Sequence, residues 1–81
     1  MTHPHANYQL VLRDGRTIDV LPTPALIQAA ARASHLGRWI EAYQTDSATE
    51  RYPAIWRLRD DTYDPAGTTY EQVMRIEEVA R

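Results

Sequence analysis

Residues 22–37 carry a helix start, a helix body and a helix stop in succession, so one α-helix enters whatever this chain folds into. Thr23 is a suitable N-cap, because its hydroxyl can accept from an amide of the first turn that has no partner within the helix. Pro24 then falls at the first helical position, where its missing N–H costs nothing. The interior is rich in alanine, the strongest helix former. Leu26, Ala29, Ala30, Ala33 and Leu36 recur at three- and four-residue spacing and predict one apolar stripe of small volume. Gly37 stands where a helix ends in a left-handed residue. The competing reading continues the helix through Trp39, Ile40 and Tyr43, since an interior glycine costs only about 1 kcal/mol.

The flanking segments alternate rather than repeat at helical spacing. Residues 8–12 and 16–21 read as a hairpin around Asp14-Gly15. A two-residue loop would place Leu10 opposite Asp19 and mix the faces. A three-residue loop, Arg13-Asp14-Gly15, puts Gly15 at the left-handed bulge position, Leu10 opposite Ile18 and Tyr8 opposite Val20. That register gathers the apolar residues on one face, onto which the helix can fold back.

After Gly37, residues 38–45 alternate, with Ile40 and Ala42 on one side and Trp39, Glu41 and Tyr43 on the other. A polar turn at 46–49 leads to a second alternating run, 50–59. There Tyr52, Ala54, Trp56 and Leu58 oppose Ile55, Arg57 and Arg59, and Pro53 suggests an edge or a bulge. Residues 60–68 form a loop with Asp64-Pro65-Ala66-Gly67 as turn chemistry. Residues 69–79 read as a strand, paired as a hairpin with the preceding one. Tyr70, Met74 and Ile76 then share one face, and Val73, Arg75, Glu77 and Val79 the other. The same residues also match a helix with a capping box, Thr69 to Gln72. The expected fold is α+β: a small antiparallel sheet of order ββαβββ packed on one Ala-rich helix, with ββαββα as the alternative. Residues 1–7 are a polar lead, and residues 8–81 make one domain.

With 81 residues there is room for only one small core. There is no cysteine, which removes disulfides and thiolate metal sites. No apolar run reaches the roughly 20 residues of a membrane span, and the first residues lack the layout of a signal peptide. The expectation is a cytoplasmic protein. All nine basic residues are Arg, and the formal net charge is −2, which disfavours non-specific nucleic-acid binding. The charge is uneven. Residues 1–40 sum to +2 and residues 41–81 to −4, so the C-terminal half is the one suited to a basic partner.

The chain lacks the patterns of common catalytic and metal sites. Its three glycines are far apart and form no phosphate-cradling loop. Ser34 and His35 are adjacent on the helix and point in different directions, which does not make a nucleophile pair. Asp60, Asp61 and Asp64 lack the spacing of a calcium loop. The three histidines form no helical zinc pair. No enzymatic activity, metal or cofactor is expected.

A surface remains. With the helix covering one face of the sheet, the other carries Trp39, Glu41, Tyr43, Ile55, Arg57, Arg59, Val73, Arg75 and Glu77. Tryptophan, tyrosine and arginine are enriched at interface hot spots. The expected partner-binding residues are therefore Trp39, Tyr43, Arg57, Arg59 and Arg75, together with the acidic loop of Asp60, Asp61, Tyr63 and Asp64 beside them.

A hairpin with an Asp-Gly turn, an Ala-rich helix ending in Leu36-Gly37, and a meander with Tyr, Trp and acids form a layout spanning residues 8–79. This layout resembles that of small phage and mobile-element proteins, including anti-CRISPR inhibitors. The resemblance implies a non-enzymatic protein that occludes a basic surface of a host nucleoprotein complex. The alternatives are a nucleic-acid-binding regulator using Arg57, Arg59 and Arg75 with Trp39 as a stacking platform, and a structural homodimer or assembly subunit.

Overall fold

The computed structural model describes residues 8–59 and 67–79. Five strands and one helix follow in the order β1 (Tyr8–Leu12), β2 (Thr17–Pro22), α1 (Pro24–His35), β3 (Ile40–Asp46), β4 (Ala54–Leu58) and β5 (Glu71–Glu78).

The local punctuation acts as its chemistry requires. In the β1–β2 turn, Leu12 N donates to Arg16 O at 2.8 Å and Gly15 N donates to Leu12 O at 2.9 Å. Gly15 has φ +96°, a conformation that glycine adopts without steric penalty. Tyr8 stands opposite Val20 and Leu10 opposite Ile18, so the three-residue loop sets the register. At the helix start, Leu26 N donates to Thr23 Oγ1 at 3.3 Å. At its end, Gly37 turns the chain at φ +68°, and β3 begins three residues later as a strand rather than as more helix.

The sheet closes on itself in the order β1-β2-β4-β3-β5, with β5 pairing back to β1. This corrects the expected open antiparallel sheet, because each strand now has two neighbours and no edge is left unpaired. One contact, β2 with β4, is parallel. The expected β4–β5 hairpin is not formed. Both strands instead run antiparallel to β3, one on each side of it. The helix lies chiefly against β5, with lesser contact to β4 and β3, and not on the β1–β2 hairpin.

The interior holds Leu10, Leu12, Val20, Leu26, Ala42, Ala54, Trp56 and Val73. Each fully buried Leu or Val contributes about 1.5–3 kcal/mol. Trp56 Nε1 is the one buried side-chain polar atom without a partner among the described residues. The helix contributes Leu26, Ala30 and Ala33 to buried positions, whereas Leu36 is 55% exposed. The apolar stripe is therefore one turn shorter than its spacing predicts.

Two irregularities change which residues face inward. On β5, Leu12 pairs with Val73 but Val11 pairs with Arg75, so Met74 is passed over as a bulge. The bulge reverses the alternation. Val73 is fully buried and Ile76 packs on the same core, while Met74 stays 39% exposed. The grouping of Tyr70, Met74 and Ile76 on one face is thereby corrected, and Val73, expected on the outer face, points inward where it pairs with Leu12 and Ile40. On β3, the pairing skips between Gln44 and Asp46, and the Thr45 hydroxyl donates to Ile55 O at 3.3 Å. The strand expected over 50–59 begins only at Ala54, leaving Tyr52 exposed ahead of it. The C-terminal segment is a strand, so the helical alternative is set aside.

Candidate interaction face

The outer face of the barrel is built on β3. Ala42 points into the core, so alternation sends Glu41 and Tyr43 outward. Trp39, just before the strand, continues that row and is 45% exposed. On one side β4 supplies Arg57, opposite Tyr43, and then Arg59, whose backbone N donates to Glu41 O at 2.9 Å. On the other side β5 supplies Gln72, opposite Glu41. Tyr70 precedes β5.

These side chains form two linked groups. In the first, Arg59 Nη1 donates to Glu41 Oε1 at 2.7 Å, and its guanidinium lies 4.4 Å from the Tyr70 ring centre. Tyr70 meets Tyr43 edge-on, with ring centres 5.5 Å apart and planes at 78°. In the second, the β1–β2 turn reaches across to β5. Arg13 N donates to Gln72 O at 2.9 Å, and Arg13 Nη1 donates to Gln72 Oε1 at 2.9 Å. The same guanidinium stacks 3.9 Å from the Trp39 ring centre. A cation over an indole at this distance is held by the ring quadrupole. Arg13 is thus fixed at three points, and its remaining donors form a planar fork.

The neighbouring charges are already partnered. Arg16 donates to Asp14 Oδ2 at 2.7 Å and reaches Glu71 Oε2 at 3.2 Å. The Arg16 backbone N–H and then its guanidinium, both donating to Asp14, hold that carboxyl below its ordinary value. The same contact raises Arg16 further above its own. Both side chains are more than half exposed, so the pair anchors the turn to β5 by geometry more than by energy.

The structure brings together Trp39, Tyr43, Arg57 and Arg59 from the expected set. Tyr43 is only 9% exposed, so it supports the surface from beneath. Arg75 is not on this face. The Met74 bulge places it opposite Val11, bonded to Glu77 at 2.6 Å and beside α1 at Ile27 and Ala31. Asp60, Asp61, Tyr63 and Asp64 lie outside the described residues. Arg13, Tyr70 and Gln72 join the site without having been expected there. Their membership depends on β5 pairing with β3, which no local pattern announces.

Among the described residues no cluster of three or more His, Asp or Glu is placed to hold a metal. Among the described residues no helix is long and apolar enough to cross a membrane. Compared with protein families, curated proteins and solved structures, the chain matches none.

Proposed function

We propose that this chain is a non-enzymatic protein-binding module that engages its partner through the outer face of β3, around Trp39. The observation that carries this reading is the Arg13–Trp39 stack. An indole left 45% exposed is held in place by a guanidinium that is itself tied to Gln72. Tryptophan and arginine are enriched among the few residues that dominate binding energy at protein interfaces. Holding them rigid before binding removes part of the ordering entropy that association must otherwise overcome. Leu36, three residues earlier in the chain, and Met74, next to Val73, are also exposed. In the inhibitory form that the shared layout with small phage proteins suggests, the module blocks a surface on a host nucleoprotein complex.

The nucleic-acid alternative is less well supported by this geometry. Arg13 already occupies one face of Trp39, which leaves a base only the other face to stack on. The test is affinity capture from lysate with the wild-type chain and Trp39→Ala side by side, each treated with nuclease. A protein retained after nuclease by the wild type and lost with Trp39→Ala is the expected result. Retention that vanishes with nuclease, or that ignores Trp39, refutes the reading.

A further inference from the structure

We infer that the partner presents a carboxylate next to an apolar side chain, and that the apolar group seats at Trp39 between Arg13 and Arg38. This inference rests on the protein-binding reading above and specifies the partner's chemistry. It reverses the sign of the partner expected from the acidic C-terminal half of the sequence.

The arginines on this face differ in whether a carboxylate already holds them. Arg16 is paired with Asp14 and Glu71, and Arg59 with Glu41. Arg13, Arg38 and Arg57 have no such carboxylate partner among the described residues, and of these Arg13 and Arg38 adjoin Trp39. Arg13 bonds only a neutral amide, Gln72, and the Trp39 ring. Arg38 uses its backbone N–H to close the helix end on Ala33 O at 2.7 Å, and its side chain is exposed. These two cations flank the exposed indole. Arg38 and Trp39, with Gly37, line a shallow depression of about 310 Å³. Arg13 lines a second one, of about 350 Å³, together with Tyr70 and Glu71. The Arg13–Trp39 stack is the ridge between them.

An arginine with a fixed plane and free donors recognises a planar two-oxygen acceptor, and carboxylate is the protein group of that shape. Phosphate would also satisfy the fork, but a nucleic-acid strand brings a row of phosphates. That row would have to run past Glu41, Asp14 and Glu71, on a chain whose net charge is already −2. A single carboxylate beside an apolar anchor makes no such demand. The occupant is therefore an acidic-hydrophobic protein segment.

The test is selection of random short peptides displayed on phage against the full chain, followed by affinity measurement of the enriched peptides. The variants are Arg13→Gln, Arg38→Gln, Trp39→Ala and the control Arg51→Gln, which lies beyond the opposite end of β3. Arg38→Gln removes no side-chain hydrogen bond or ion pair among the described residues, so its fold should stay intact even if Arg13→Gln disturbs the turn. Enriched peptides should carry Asp or Glu beside an aromatic or aliphatic residue. Loss of one charge-assisted contact should weaken them about tenfold, with Arg51→Gln unchanged. Peptides that depend on Trp39 but lack acids, or that ignore both arginines, overturn the carboxylate inference and leave the protein-binding reading standing. Failure to enrich any peptide, or Trp39-dependent binding of oligo-dT, overturns both.

Discussion

Deleting Met74 should leave the barrel intact, and deleting Ile76, two positions on, should destroy it. The difference follows from the β1–β5 ladder. Leu12, Val11 and Leu10 pair with Val73, Arg75 and Ile76. Without Met74 those three partners become consecutive, and the ladder closes with every remaining side chain on its present face. The β3 pairing ends at Val73 and is not disturbed. What is lost is the contact area of a side chain that is 39% exposed, together with the added twist that a bulge supplies. We expect a cost of about 1–2 kcal/mol. Deleting Ile76 instead slides Glu77 opposite Leu10, which is fully buried. The core then loses a partly buried isoleucine, worth about 1–2 kcal/mol, and must take in a carboxylate at several kcal/mol more. A chain of 81 residues has only about 4–12 kcal/mol to lose. Urea unfolding followed by tryptophan fluorescence and far-ultraviolet circular dichroism separates the two cases. The Met74 deletion should keep a cooperative transition with its midpoint lowered by about 1 M, given a slope of about 1–2 kcal/mol/M. The Ile76 deletion should show little or no folded baseline. Equal damage from the two deletions would mean that Met74 is not the residue the ladder passes over, and the assignment of Arg75 to the helix side would fall with it.

Gly15→Ala meets no atom within 4 Å, so its only penalty is the left-handed backbone. The expected loss is about 1–2 kcal/mol in urea denaturation, and a neutral result would contradict the turn geometry. Thr23→Ala removes the acceptor for Leu26 N and should lower stability by about 1 kcal/mol. Thr23→Ser should recover most of it. Asp14 has a carboxyl pKa lowered in the folded state by Arg16. Its contribution is therefore present above the ordinary value of 3.8 and is lost as pH falls through the lower folded value. The gap in urea midpoint between wild type and Asp14→Asn should be constant near neutrality and close only in acid below that value. A gap that closes between pH 5 and 7 would rule out this source.

Some of this protein follows from short stretches of chain. The β1–β2 register was determined by the three-residue turn and by the need to keep Leu10, Ile18, Tyr8 and Val20 together. The ends of α1 were determined by Thr23-Pro24 and Gly37, because caps and left-handed glycines act over three or four residues. Trp39 as an exposed aromatic next to outward-facing Glu41 was also legible, since alternation on β3 begins from Ala42. The rest was decided by contacts between residues far apart in sequence. Whether β5 pairs with β4 or with β3 and β1 depends on which arrangement leaves no strand edge open, and no local pattern encodes that comparison. Met74 looks like an ordinary strand residue until its two neighbours are fixed by Leu12 and Val11. From that point every later side chain on β5 exchanges faces, which turns Ile76 toward the core and carries Arg75 away from the site. The Arg13–Trp39 stack has the same origin. A turn residue and a residue beyond the helix meet only because barrel closure lays the β1–β2 turn across β5, beside the start of β3.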